Sequence, residues 1–205
     1  MTVLTDSSLV VASFFLGAIP FGIVVSRLFF RCDLRSEGSG NIGAANALRT
    51  LGKGGAVAVL VLDGLKGALP VIAGRALDGP TLAAVAAFAA IVGHCFSPFL
   101  NFRGGKGVAT NFGAVIALAW PAGGIFAACW LAVVLATGYS SAGSLLAGIA
   151  TAPALWVLAG TPGGIYGLAS ALLIAFMHRG NIARLLAGTE STLPLFRTVK
   201  GRPPG

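Results

Sequence analysis

The chain has 205 residues, 56% of them hydrophobic and only 10% charged, with a mean hydropathy of +0.90. A soluble domain carries roughly 25% charged residues, so the composition excludes an ordinary soluble globule. The net charge of +8 arises from 14 basic and 6 acidic residues, and in so apolar a chain membrane topology accounts for it in preference to nucleic-acid binding.

A bilayer-spanning helix needs about 20 mostly apolar residues. In chain order the candidate spans are 8–30, 53–76, 80–99, 108–120, 121–137, 141–159 and 163–177. The alternating strand pattern of an outer-membrane barrel is absent. The expected fold is all-α: one polytopic membrane domain over 1–205, with about seven transmembrane helices and glycine-rich loops on the cytoplasmic face. Ahead of the first span stands only Asp6, whereas Arg27 and Arg31 lie at its far end. That charge order predicts an uncleaved helix with its N-terminus outside. Pro20, Pro70 and Pro153 fall inside spans, where they are expected to kink the helix. The short fourth and fifth spans read as a helical hairpin turning at Trp120–Pro121. Cys32, Cys95 and Cys129 are odd in number and unrelated in spacing, which argues against a disulfide framework or a zinc site.

With the N-terminus outside, the inward-facing segments are 31–52, 100–107, 138–140 and 178–205. They hold Arg31, Arg35, Arg49, Arg103, Lys106, Arg179, Arg184, Arg197, Lys200 and Arg202, with Arg27 and Lys53 at the same face. Only Lys66 and Arg75 are left over, so the C-terminus is expected in the cytoplasm. Every polar, glycine-rich stretch then falls on one face.

The first such stretch is "GSGNIGAANALR", residues 38–49. Gly38, Gly40 and Gly43 let the backbone turn N–H groups toward an anion, as phosphate-binding nests do. Ser39, Asn41 and Asn46 add neutral hydrogen-bonding groups, and Arg49 a forked cation suited to phosphate oxygens. The alternative is a flexible loop with Arg49 as a topology signal. The second stretch is "GHCFSPFLNFRGGKGVATNFG", residues 93–113. Arg103, Gly104, Gly105, Lys106 and Gly107 concentrate two cations among three glycines just before a predicted helix start, an anion site by charge and geometry. It is no Walker A loop, because Leu100 stands where that motif has glycine and Gly107 where it has Ser or Thr. The alternative is a basic turn at the membrane surface.

The third stretch, "MHRGNIARLLAGTE", spans 177–190. His178 and Asn181 share one helix face at i, i+3, Arg179 and Arg184 are suited to phosphate or lipid headgroups, and Glu190 reads as a structural anchor. A fourth, "LDGLKG", buries Asp63 and Lys66 in an apolar span, at a spacing that allows a mutual ion pair or a ligand role. The His-x4-Asp dyad of some acyltransferases is absent, since Phe99 follows His94 and Ala183 follows His178 at that distance. No spacing of His, Cys, Asp or Glu suggests a metal site.

Together these four motifs, in this order, resemble the bacterial acyl-phosphate-dependent glycerol-3-phosphate acyltransferase family of the inner membrane, a likeness that runs from the first span to Glu190. The resemblance implies transfer of a fatty acyl group from acyl phosphate to the 1-hydroxyl of glycerol-3-phosphate, yielding lysophosphatidic acid and inorganic phosphate in phospholipid synthesis. It implies a seven-helix fold that needs no coenzyme A, acyl carrier protein, metal or other cofactor. A partner enzyme supplying acyl phosphate, membrane lipids as surroundings and no nucleic acid complete its expected company. Family roles fall on Ser39, Arg49, Lys106, His178 and Asn181 as the catalytic and glycerol-3-phosphate-binding set, on the glycines around Lys106 as the phosphate loop, and on Glu190 as a structural acid. Ala45 departs from the family's common threonine, Ser97-Pro98 shifts a proline by one place, and Arg103 replaces a common lysine. Either His178 or the acyl phosphate's own oxygens would take the hydroxyl proton, and Ser39 is expected to donate a hydrogen bond in preference to accepting the acyl group. Two rival classes fit less of the sequence. A transporter of phosphorylated solutes predicts inverted repeats and polar groups at both faces. A lipid-binding scaffold explains the arginines but not the serine, asparagine and histidine.

Overall fold

A computed structural model describes residues 3–194. Every regular element among them is helical, and no strand occurs. The elements are α1 (Val3–Ala18), α2 (Phe21–Phe30), α3 (Ala44–Thr50), α4 (Gly52–Asp78), α5 (Pro80–Cys95), α6 (Val108–Leu118), α7 (Trp120–Thr137), α8 (Ser140–Met177) and α9 (Arg179–Leu186), with one 3₁₀ turn at Pro98–Leu100. Arg197, Lys200 and Arg202, counted above for topology, lie outside the described residues.

Among the described residues five helical segments are long and apolar enough to cross a membrane, not the seven expected. Two physical reasons account for the difference. Helix α6 has 11 residues, a rise of roughly 16 Å, about half of a bilayer core. Helix α8 runs through 38 residues and contains both the sixth and the seventh expected spans, interrupted at Gly160. That residue has φ 69° and ψ −169°, a conformation open essentially to glycine alone. The two halves fold back on each other there: a Cβ at Gly167 would lie 2.9 Å from Ala152 Cα, and one at Gly148 would lie 3.9 Å from Ala171. The predicted α6–α7 hairpin is present and turns at the extended Ala119, one residue earlier than expected. Phe112 and Phe126 stack across it at 5.4 Å.

Inside the bundle α4 packs against α5 and α6, and α1 against α5. Without water there is no hydrophobic force between helices in a bilayer, so small residues and close backbone contact hold them. The α4–α6 crossing shows this, since a Cβ at Gly67 would sit 1.9 Å from the Thr110 carbonyl oxygen. Pro70 and Pro153 lie within continuous helix, whereas Pro20 marks a true break between α1 and α2. The carbonyl of Ile19 exposed by that break accepts a hydrogen bond from Lys66 Nζ at 2.8 Å. Next to it, Ser97 Oγ donates to the Ala18 carbonyl at 2.6 Å. The segment between α5 and α6 is thus recessed among the helices at the level of the break. Phe99 and the tip, Asn101 to Arg103, are exposed, while Gly105 and Gly107 are buried.

Candidate active site

Three polar segments far apart in sequence meet at one end of the bundle. The first, between α2 and α3, is held from within. Asp33 pairs with Arg27 at 2.7 Å and Arg35 at 2.6 Å, and the bonds from Arg35 hold its carboxyl well below the usual range. Asn46, buried in α3, is the clasp of this loop. Its Oδ1 accepts from the Ser39 N–H at 2.8 Å, and its Nδ2 donates to the carbonyls of Leu34 and Glu37, both at 3.0 Å. Its amide is therefore spent on the loop's own backbone, which makes Asn46 a shaping residue where a substrate contact was expected. Gly38 and Gly40 have positive φ, 56° and 69°, as the turn requires. Asn41 Oδ1 accepts from the Gly43 N–H at 2.9 Å, and both residues line the cavity described below. Ser39 is exposed.

The second segment carries Lys106. Here the expectation of N–H groups turned to an anion holds for only part of the loop. The Gly104 N–H donates to the Cys95 carbonyl and the Gly105 N–H to the His94 carbonyl, both at 3.0 Å, so neither points at a ligand. Gly107, at φ 79°, turns the chain into α6, whose first N–H groups have no helical partner. Val108 and Ala109 of this first turn line the cavity beside Lys106. Arg103 is exposed at the loop tip and does not line it.

The third segment supplies a chain of hydrogen bonds to Lys106. Its Nζ donates to Asn181 Oδ1 at 2.5 Å, and Asn181 Nδ2 donates to Glu190 Oε1 at 2.6 Å. Glu190 also accepts from Ser141 Oγ at 2.7 Å and pairs with Arg184 at 2.7 Å. Burial works against the Glu190 charge, but the bonds from Asn181, Ser141 and Arg184 outweigh it and hold the carboxyl below its ordinary range. Arg184 is thus engaged within the protein, and Arg179 lies over the Phe176 ring at 4.7 Å. Arg49, from α3, reaches the same place: its Nη2 lies 3.4 Å from the Ser191 and Thr192 carbonyls, just beyond Glu190.

His178 is 3% exposed, and its Nδ1 lies 2.8 Å from the Ile174 carbonyl oxygen. A carbonyl only accepts, so Nδ1 carries the proton and the neutral ring keeps Nε2 as an acceptor. Burial, then the nearby Lys106 charge, push the imidazole down to about 4. Burial also lowers the Lys106 ammonium to about 8, helped by Arg184 and Arg49 and opposed by Glu190. Lys106 reaches Glu190 through Asn181, and Arg49 reaches the residues just beyond Glu190, so both cations lie near the α8–α9 junction that carries His178.

From Lys106 a cavity of about 380 Å³ runs between α4, α6 and α7. Leu60, Phe112, Phe126, Trp130 and Leu131 line its apolar part, and Asn41, Asp63, His94, Ser140 and Ser144 its polar part. Asp63 and Lys66 form the expected i, i+3 ion pair at 2.7 Å, both about 1% exposed. Sequence reasoning missed His94, which it weighed only as half of an absent dyad, and Ser141, whose setting in an apolar helix gives no signal. Among the described residues no cluster of His, Cys, Asp or Glu could hold a metal ion.

The chain matches the family described as glycerol-3-phosphate acyltransferase over residues 7–188. The chain belongs to the glycerol-3-phosphate acyltransferase family. Among curated members it is 48% identical to the glycerol-3-phosphate acyltransferase of Dinoroseobacter shibae, over 87% of this chain and 88% of that one. It is likewise 48% identical to that of Roseobacter denitrificans, over 88% and 90%. The fold superposes on the crystal structure of PlsY (YgiH), an integral membrane glycerol 3-phosphate acyltransferase, in its glycerol 3-phosphate form. The TM-score is 0.89 at 35% identity, covering 96% of this chain and 100% of that one. Against the lysophosphatidic acid form the values are 0.85 and 34%, covering 92% and 95%. This acyltransferase is accordingly an integral membrane enzyme.

Proposed function

We propose that this enzyme transfers a fatty acyl group from acyl phosphate to the 1-hydroxyl of glycerol-3-phosphate, at the cytoplasmic face of a bacterial inner membrane. The observation that carries this reading is the position of Lys106, at the junction of an apolar cavity and a polar network running through Asn181, Glu190 and Ser141. Such a junction suits a donor with an alkyl chain at one end and a phosphate at the other. The similar PlsY structures, one a glycerol 3-phosphate form and one a lysophosphatidic acid form, support the acceptor and product.

In the proposed step the acceptor hydroxyl oxygen attacks the acyl carbonyl carbon. The bond from that carbon to the phosphate oxygen then breaks, and phosphate leaves with the electron pair. Phosphate is a good leaving group, so positioning and charge stabilisation supply most of the catalysis. Lys106 and Arg49 counter the phosphate charges, the N–H groups opening α6 add dipoles of the same sign, and Ser39 and Asn181 orient the acceptor. His178 Nε2 accepts the hydrogen bond of the attacking hydroxyl. A phosphate dianion bound beside Lys106 offsets the repulsion that lowers the imidazole, so His178 becomes a stronger base when substrate is present. The proton finishes on the departing phosphate.

Purified protein given acyl phosphate and glycerol-3-phosphate should release inorganic phosphate only when both are present. Release without the acceptor, or none with both, would overturn the reading.

A further inference from the structure

His94 belongs to neither the catalytic set nor the expected phosphate loop, yet it is the residue on which that loop rests. It is 3% exposed and lines the same cavity as Lys106. Gly105 donates its N–H to the His94 carbonyl and Gly104 donates to that of Cys95, which folds the loop back on the end of α5. The fit leaves no space. A Cβ at Gly105 would stand 2.1 Å from His94 Nε2, and one at Gly104 would stand 2.0 Å from the His94 carbonyl oxygen. On its other side the imidazole faces the buried ion pair, with Nδ1 3.8 Å from Asp63 Oδ1. Asp63 in turn holds Lys66, which donates to Ile19 at the α1–α2 break. Neither His94 Nδ1 nor Asp63 Oδ2 has a hydrogen-bond partner, although both are buried at the cavity wall. Buried polar atoms normally have one.

We propose that His94 is a positioning residue, a buried joint that transmits the fixed position of the Asp63–Lys66 pair to the loop and so sets where Lys106 meets a phosphate. The 3.8 Å gap is the working part of the joint. A movement of roughly 1 Å brings Nδ1 into hydrogen-bond range of the carboxylate. The loop lies against the ring, so the same movement carries Lys106 with it. His94 touches no reacting atom; it acts through the loop. This assignment deepens the acyl-transfer reading and rests on it only for the word phosphate.

Binding of glycerol-3-phosphate to the folded protein, measured by calorimetry without turnover, tests the joint separately from the reaction. His94→Leu keeps the bulk and removes the polar ring, and should raise the Kd and the KM for glycerol-3-phosphate about 10-fold or more with a much smaller change in kcat. His94→Asn, which keeps a donor near Nδ1, should stay within about 3-fold of the parent. If His94→Leu does not fold, Gly105→Ala serves in its place: its Cβ strikes the ring, displaces the loop and weakens binding at an unchanged melting temperature. Equal binding by the Leu variant and the parent, or Asn as impaired as Leu at unchanged melting temperature, overturns the proposal. So does Gly105→Ala that binds like the parent. Should the parent bind glycerol-3-phosphate and show these effects without releasing phosphate from acyl phosphate, the joint stands and the donor assignment falls.

Discussion

Lys106 touches two environments at once, a hydrogen-bonded carboxamide on one side and an apolar cavity on the other. Burial, the main cause, lowers its ammonium to about 8, so the anion-binding form exists below that pH and is lost above it. His178, lowered to about 4 chiefly by burial, offers Nε2 as an acceptor above that pH and loses it below. Because kcat/KM reports the groups of the free enzyme, it should hold a plateau between about pH 4 and about pH 8. Lys106→Arg should remove the alkaline limb, since a guanidinium does not titrate there. An alkaline fall that persists unchanged in this variant would assign that limb to another group. At this scale the sequence was a good guide to which side chains matter and a poorer one to what they do. Asn46 has the composition of a substrate contact but is consumed by the carbonyls of Leu34 and Glu37, a fact that depends on how the loop closes. Gly104 and Gly105 looked like anion-binding turns, but their N–H groups are committed to α5.

At the scale of elements the uneven helix lengths carry the function. A full-length α6 would put Lys106 at the surface; its 11 residues leave the loop recessed, where the helix start meets the cavity. Irregular backbone at such depth is tolerated because it is packed against protein and lines a cavity. Hydropathy located this segment but could not tell a half-length helix from a frayed full one. Gly160 is a second example. The sequence separated the spans 141–159 and 163–177, but the return of the chain on itself rests on φ 69° at Gly160. Gly160→Ala should destabilise the protein by about 1–3 kcal/mol, read as a lower melting temperature in detergent, because only glycine adopts that backbone readily. An unchanged melting temperature would mean that the turn relaxes to another conformation.

At the scale of the whole molecule two features decide what enters the site and from where. The cavity between α4, α6 and α7 is apolar beyond Lys106, and Ala127 forms part of its wall. Ala127→Phe removes volume there without touching the polar network. It should shift the preference toward shorter acyl phosphates, by about 10-fold in relative kcat/KM for a change of one to three methylenes. Equal loss for all chain lengths would show that the chain lies elsewhere. The distribution of Lys and Arg sets the orientation expected of the bundle. Ser39→Cys, exposed in the first loop, should react with a membrane-impermeant thiol reagent only from the cytoplasmic side. Labelling from outside would invert the proposed topology.

Composition and spacing alone show an all-helical membrane protein whose cations and glycines gather in a few segments, and which family those segments resemble. These follow from composition and local spacing, because hydropathy and charge act residue by residue. It took the folded chain to bring Arg49 and Lys106 to the two sides of Glu190, to tie Asn181 through Glu190 to Ser141 and Arg184, and to seat the Gly104–Gly105 turn on His94. Each of those contacts joins residues on different elements. Their distances depend on where helices break and how closely small residues let them approach, and no local pattern records that.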